Sequence, residues 1–518
     1  MISAPATARS ARFLTGRRRG GGLAGAALLA TALAAPPARA LEEVVIQLPL
    51  LQGSFRVKVS ELSSDASLFR GDSDLAELDR ASDGSVGRQL RALLTHPLPL
   101  GLTRASEQAV GTPMLEQAML MLSTFGKVEG VRQDLTGAEL NQAFLRASAS
   151  GPPTLLSLIQ AIPGQRVTLD LGRLGRLLQR MVQQRDEAET LMAATTAAAP
   201  SAALPATQAV QRRELQLPVA HRSGSPLPLV VLQPQAGANG RLVLISHGLW
   251  DSPASFEGWA SLLAANGYTV VLPRHPGSDK DQQQAMLSGQ APPPGQQELE
   301  LRPKDISAVI DAVSNQQLNL GAPLRTDRVV VMGHSWGATT SLQLAGLKPS
   351  GREVARCANP DDPERNLSWT LQCSWLQGDA VGELKDPRVV AVAAVSPPVS
   401  LLFPPGSSAD LSARVLLVSG SRDWVVPPDP EAVQPMRAGV STGNRLVLVH
   451  GGDHFNLRPG QQASGGTLGP LLLAWTEAAF GAGPSVRPAP EAPNLLPTSG
   501  WGQPSTALVD VSDQLRRP

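Results

Sequence analysis

Aromatic side chains are scarce. Eight Trp, nine Phe and a single Tyr supply 3% of the 518 residues, too few for the stacked platforms that grip single-stranded nucleic acid. Charge of one sign is missing as well: the net value is +1, so no basic footprint for a nucleic-acid partner exists. Cysteine is almost absent, with only Cys357 and Cys373. No histidine lies between residues 335 and 449, which leaves such a pair without the extra ligands a zinc site needs. In an oxidising compartment the two read as one disulfide; two free buried thiols are the alternative. Beyond the N-terminus no apolar run is long enough to span a bilayer, which takes about 20 residues.

What is present begins with an export signal. Arg17, Arg18 and Arg19 precede an Ala/Leu-rich apolar run over residues 23–35, and Ala38-Arg39-Ala40 places small residues at a cleavage site. Residues 1–40 therefore read as a secretory signal peptide cut before Leu41, and the mature protein is expected in the periplasm or outside the cell. The arginine run also suits the twin-arginine exporter.

Composition then divides the chain. Residues 41–195 are expected to form a mainly helical accessory domain with a short strand pair, residues 44–48 and 55–59, around a glycine-containing turn. Thr112-Pro113 is a helix start, and Thr136 with Glu139 forms a capping-box pattern. Leu171, Leu174, Leu178, Met181 and Val182 fall on one helical face, the pattern of a core stripe. No paired carboxylates, histidine cluster or phosphate loop occurs here, so the region reads as a packing or substrate-gating domain. An Ala/Pro-rich linker over 196–213 follows. Residues 214–483 alternate apolar strands with helical segments, which implies a mostly parallel sheet covered on both faces. Two insertions, 278–300 and 347–385, follow strand ends where active-site loops gather and are candidate lids. The Pro-rich residues 484–518 are expected to be disordered.

The chemistry is concentrated in three places. Gly333-His334-Ser335-Trp336-Gly337 stands between a β-branched run and a small-residue helix. In such a G-x-S-x-G elbow the serine is held out above the sheet on a sharp turn that only glycines at either side allow. Asp423 follows the strand 414–419, and His454 follows the strand 446–449. Serine, aspartate and histidine in that order, each just past its own strand, form a nucleophile–acid–base set. His450 competes with His454 for the base; Asp453 and Asp429 compete for the acid. The stretch Ser246-His247-Gly248-Leu249-Trp250, after the strand 242–245, supplies the other requirement. Backbone N–H groups of Leu249 and Trp336 would face a developing oxyanion.

Residues 214–480 resemble the α/β-hydrolase superfamily. The stretches 244–253 and 333–340 are similar to its platelet-activating-factor acetylhydrolase and dienelactone-hydrolase branches. With residues 272–278 and 301–313, the architecture over most of the mature chain resembles cyanobacterial secreted α/β-hydrolases with an uncharacterised N-terminal domain. The resemblance implies a serine hydrolase acting on carboxylic esters, including lipid esters, and so a part in lipid catabolism. It needs no cofactor, metal or nucleic acid, and its partner is a small-molecule or lipid ester. The chain departs from these branches in two ways. Acetylhydrolases carry the acid after the strand that follows the elbow helix, where this chain reads Val395-Ser396-Pro397-Pro398. The dienelactone branch has a cysteine nucleophile. Neither specificity carries over. A peptidase or amidase would use the same triad, and a non-catalytic binding protein would keep the fold without the chemistry.

Overall fold

Short β-branched runs with no polar alternation can be buried only where a sheet is covered on both faces. The computed structural model describes residues 41–48, 53–97, 105, 108–123, 126–129, 137–149, 151–200, 208–321, 323–377 and 381–516. In it those runs become β7 (Arg241–Ser246), β8 (Thr269–Pro273), β9 (Arg325–His334), β10 (Val389–Val395), β11 (Arg414–Gly420) and β12 (Arg445–Val449). They form the parallel part of a nine-stranded sheet in the order β13-β12-β11-β10-β9-β7-β8-β6-β5. Antiparallel strands flank it: β5 (Val210–Leu217) and β6 (Leu227–Pro234) at one edge, β13 (Leu508–Asp510) at the other. Alternation along β7 divides the core. Leu242 and Leu244 join one apolar cluster, Val243 and Ile245 the one on the opposite face.

The ninth strand corrects an expectation. The Pro-rich stretch after residue 483 was expected to be disordered, yet Leu508 and Val509 are buried against β12. Arg445 pairs with Asp510 at 2.6 Å, and Ser512 Oγ accepts from the Leu446 amide at 2.7 Å. Three residues suffice because β12 offers a ready row of backbone partners, and so short a run barely registers in composition. The linker is tied to the same place: the Ala198 amide donates to the Leu508 carbonyl at 2.9 Å. Its last residues, from Val210, are already β5.

N-terminal to this lies a smaller unit with helices and more sheet than the expected strand pair. β1 (Glu43–Leu48) and β2 (Gly53–Lys58) pair antiparallel, and β3 (Gly126–Glu129) and β4 (Arg166–Asp170) extend them in the order β2-β1-β4-β3. The added strands carry charge at their ends, which masks them in the sequence; Arg166 reaches both Glu43 (2.7 Å) and Glu129 (3.4 Å) across the sheet. Residues 1–40, the proposed leader, and Thr136 lie outside the described residues. The Leu171–Ala193 helix starts on an Asp170 side-chain cap at 3.0 Å. Its aliphatic stripe is not core: Leu171, Leu174, Leu178 and Val182 are exposed, and burial is confined to Ala188 and Met192.

The 347–385 insertion is fastened on both sides. Its Trp369–Leu376 helix packs against the Pro113–Ser123 helix of the N-terminal unit, and Arg180 donates to the Asp362 carbonyl at 3.0 Å. Cys357 and Cys373 are bonded, with Cα atoms 5.6 Å apart. The buried Glu431 carboxylate collects Asn366, Ser368 and Gln372 of the insertion and the Val399 and Ser400 amides after β10, all within 3.0 Å. No helix among the described residues is long and apolar enough to cross a membrane.

Candidate active site

At the end of β9 the chain turns in a single residue. Ser335 has φ 54° and ψ −123°, a conformation L-residues rarely hold, and the Trp336–Leu344 helix begins at the next position. The flanking glycines are sterically required. A Cβ on Gly333 would stand 2.1 Å from the Gly337 carbonyl oxygen, and one on Gly337 only 2.0 Å from that of Ser246. Both clashes are with backbone, so neither yields to a side-chain shift. The Ser335 amide is fixed to the Val395 carbonyl at 2.9 Å.

The expected acid and base meet. Asp423 Oδ2 accepts from His454 Nδ1 at 2.9 Å, while Oδ1 accepts the Val425 and Val426 amides at 3.0 and 2.8 Å. Close approach of the two loops depends on Gly420, where a Cβ would lie 2.2 Å from the Gly452 carbonyl. With Nδ1 committed to the carboxylate, Nε2 of His454 is the nitrogen left for a proton from serine. No Ser335–His454 hydrogen bond is among those of this structure, and such contacts tighten in substrate complexes. The competitors point elsewhere. His450 is exposed at the end of β12; Asp453 caps a turn through the Phe455 and Asn456 amides; Asp429 takes Gln434 at 2.8 Å.

The loop after β7 lies against the elbow: a Cβ on Gly248 would approach Ser335 Cβ to 3.3 Å. The Leu249 and Trp336 amides have no protein acceptor among the described contacts, as an oxyanion site requires. A parallel sheet with serine, acid and base at the carboxyl ends of β9, β11 and β12 is now assembled. The sequence family described as alpha/beta hydrolase fold matches residues 241–359. The fold is the α/β-hydrolase fold. The matched stretch takes in the Gly248 loop and the elbow and ends before Asp423 and His454. A search of curated proteins finds no match to the sequence.

Under the 246–250 loop of this α/β-hydrolase domain sits a buried charged cluster that motif reading missed. Arg302, fully buried, donates to the His247 carbonyl and lies over the Trp336 ring at 4.7 Å, so it touches both halves of the expected oxyanion site. Burial pulls its guanidinium down to about 9, against the Glu298 and Asp305 carboxylates. Asp305 accepts from His221, His275 and Arg222 at 2.5–2.7 Å. Burial opposes its charge, but these three donors prevail and hold the carboxyl below its usual range. Arg222 also reaches Glu298 at 3.1 Å, so two arginines face two carboxylates. Burial, with Arg302 close by, drives His275 down to about 3. Neutral His275 then donates from Nδ1 to Asp305 and accepts from Ser246 Oγ at 2.9 Å through Nε2.

His334, the unspecified position of the elbow, is likewise more than a spacer. Its Nε2 donates to the His454 carbonyl at 2.8 Å, and the ring lies between Phe256 and His454 at 5.7 and 4.7 Å. Burial, then the nearby His454, keeps it well below the ordinary histidine value. The signal for these residues was visible only in part. His275, Arg302 and Asp305 lie in the segments 272–278 and 301–313 that carried the family resemblance, but polar residues in a helix read as surface until a fold buries them.

Proposed function

We propose that the protein is an exported serine hydrolase that cleaves carboxylic esters through an acyl-enzyme, working in the periplasm or outside the cell. The reading rests on the Asp423–His454 hydrogen bond, made beside a serine in strained elbow geometry. Ser335 Oγ attacks the ester carbonyl and His454 Nε2 takes its proton. The Leu249 and Trp336 amides receive the oxyanion. As the intermediate collapses, His454 returns the proton to the departing alcohol. Water then enters by the same route, activated by His454, and releases the acid. Asp423 holds the imidazole tautomer and stabilises the imidazolium without taking a proton. Kinship with the acetylhydrolase and dienelactone branches belongs to this reading, without their substrate preferences.

The test is hydrolysis of p-nitrophenyl esters beside the matching anilides, with Ser335→Ala, His454→Ala, Asp423→Asn and His450→Gln. The first two should fall to background. Asp423→Asn should keep more, and His450→Gln should behave as wild type. Full activity in Ser335→Ala would end the proposal, and faster turnover of anilides would reassign the protein to the amidases.

A further inference from the structure

The stripe on the Leu171–Ala193 helix is left in water, although exposed aliphatics so grouped ordinarily find cover. Leu178 is 54% exposed and Val182 45%. Across from them, on the loop after β11, Trp424 is 49% exposed. Between helix and loop lies a cavity of about 430 Å³, within the range of small-molecule sites. Leu178, Met181 and Val182 form one wall; Asp423, Trp424 and Pro427 form the other. The apolar surface continues to the base. The Trp424 ring is 6.2 Å from that of Phe455, itself 50% exposed, and Phe455 stands edge-on to His454 at 5.6 Å.

We propose that this cavity is the acyl-chain site of the enzyme, and that the N-terminal helix supplies half of it. The inference rests on the ester-hydrolase reading. A linear alkyl chain fits because Leu178, Met181, Val182, Trp424 and Pro427 make the lining mostly apolar, with Arg185 and Arg422 among its polar members, and because the loop carrying the proposed acid is one wall. From Ser335 the way to these side chains leads past His454, whose ring lies 4.7 Å from that of the neighbouring His334, and on over Phe455 to Trp424. The N-terminal unit would then select substrates by chain length without touching the reacting atoms.

The experiment uses the whole exported chain and p-nitrophenyl esters from acetate to octanoate below their micellar concentrations. Each methylene that enters the cavity should raise kcat/KM about twofold to fourfold. The double variant Leu178→Gln/Val182→Gln, at two exposed positions, should reduce the octanoate-to-acetate ratio at least about tenfold. Leu93→Gln, at an exposed leucine far along the chain, should keep the ratio. Calorimetric titration with dodecanoate gives a readout independent of turnover, and the double variant should weaken binding at least about tenfold. A wild-type ratio near one, or a ratio the double variant leaves intact, overturns the acyl site while the hydrolase stands. A protein that cleaves no ester, acetate included, ends the hydrolase reading. The dodecanoate titration then decides the cavity by itself: loss of binding in the double variant sustains it, and equal binding overturns it.

Discussion

Lowering the pH from about 7.5 to about 5.5 asks three imidazoles to accept protons for which the fold has no place. His247 Nε2 already accepts the His275 amide at 3.0 Å, so a proton there would set N–H against N–H. His275 accepts from Ser246. His334 Nδ1 is buried without a partner, and a proton on it would meet no acceptor. Burial, the largest cause in each case, holds all three below the ordinary histidine value, His275 at about 3. The folded value is depressed, so the unfolded chain binds the protons: stability is full above about 6.5 and is lost as pH falls toward the folded value. For His275 alone the drop across this interval is about 1.4 kcal/mol, and the other two rings add to it in the same direction. Glu298, whose carboxyl burial raises despite Arg222, works the opposite way at lower pH, which is why the comparison stops near 5.5. Urea unfolding at the two pH values measures the effect. His334→Gln, which cannot titrate, should make the dependence shallower. A stability that is flat or rises on acidification would refute the neutral assignments.

Gly337→Ala should cost about 1–3 kcal/mol or prevent folding, since its methyl would meet the Ser246 carbonyl; Gly351→Ala, with nothing within 4 Å, should be silent in the same thermal melt. Arg302→Met leaves two buried carboxylates facing one arginine and should lose about 3–5 kcal/mol. Ester turnover, assayed well below the lowered melting point, should fall too, because Arg302 braces the His247 carbonyl and Trp336; undiminished kcat would show that it serves stability alone. Replacing Cys357 and Cys373 by serine should lower stability by about 3 kcal/mol in denaturant. The native protein should yield no alkylatable thiol, and two would refute the bridge.

The strands leading to the candidate triad were legible because each holds an uninterrupted apolar run, the pattern that burial on both faces produces. Ser335, Asp423 and His454 could be singled out because each lies within a few residues of the end of such a run. The rest was hidden for identifiable reasons. β3, β4 and β13 are short and owe their place to partners far away in sequence. The aliphatic stripe of the Leu171–Ala193 helix had the period of a core face but borders a cavity, and periodicity does not distinguish a packed neighbour from an open groove. Arg302, Asp305 and Glu298 sit on the inward face of one helix, where Arg222 pairs with both carboxylates and the charge of Arg302 lies nearby, an arrangement set by tertiary structure alone.

The order of strands also governs when the fold can be finished. β12, which leads into the loop of His454, has β11 on one side and β13 on the other. On a growing chain β13 is the last strand of the sheet to be made. Until Leu508–Asp510 emerges, β12 presents an open row of backbone donors and acceptors next to the loop of His454, an edge that invites another chain. Ala198 and Pro200, made some three hundred residues earlier, must also wait for their partners at Leu508 and Gly502. A nascent chain stalled short of residue 508 should therefore be sensitive to protease and prone to self-association, though every residue of the candidate triad has been synthesised.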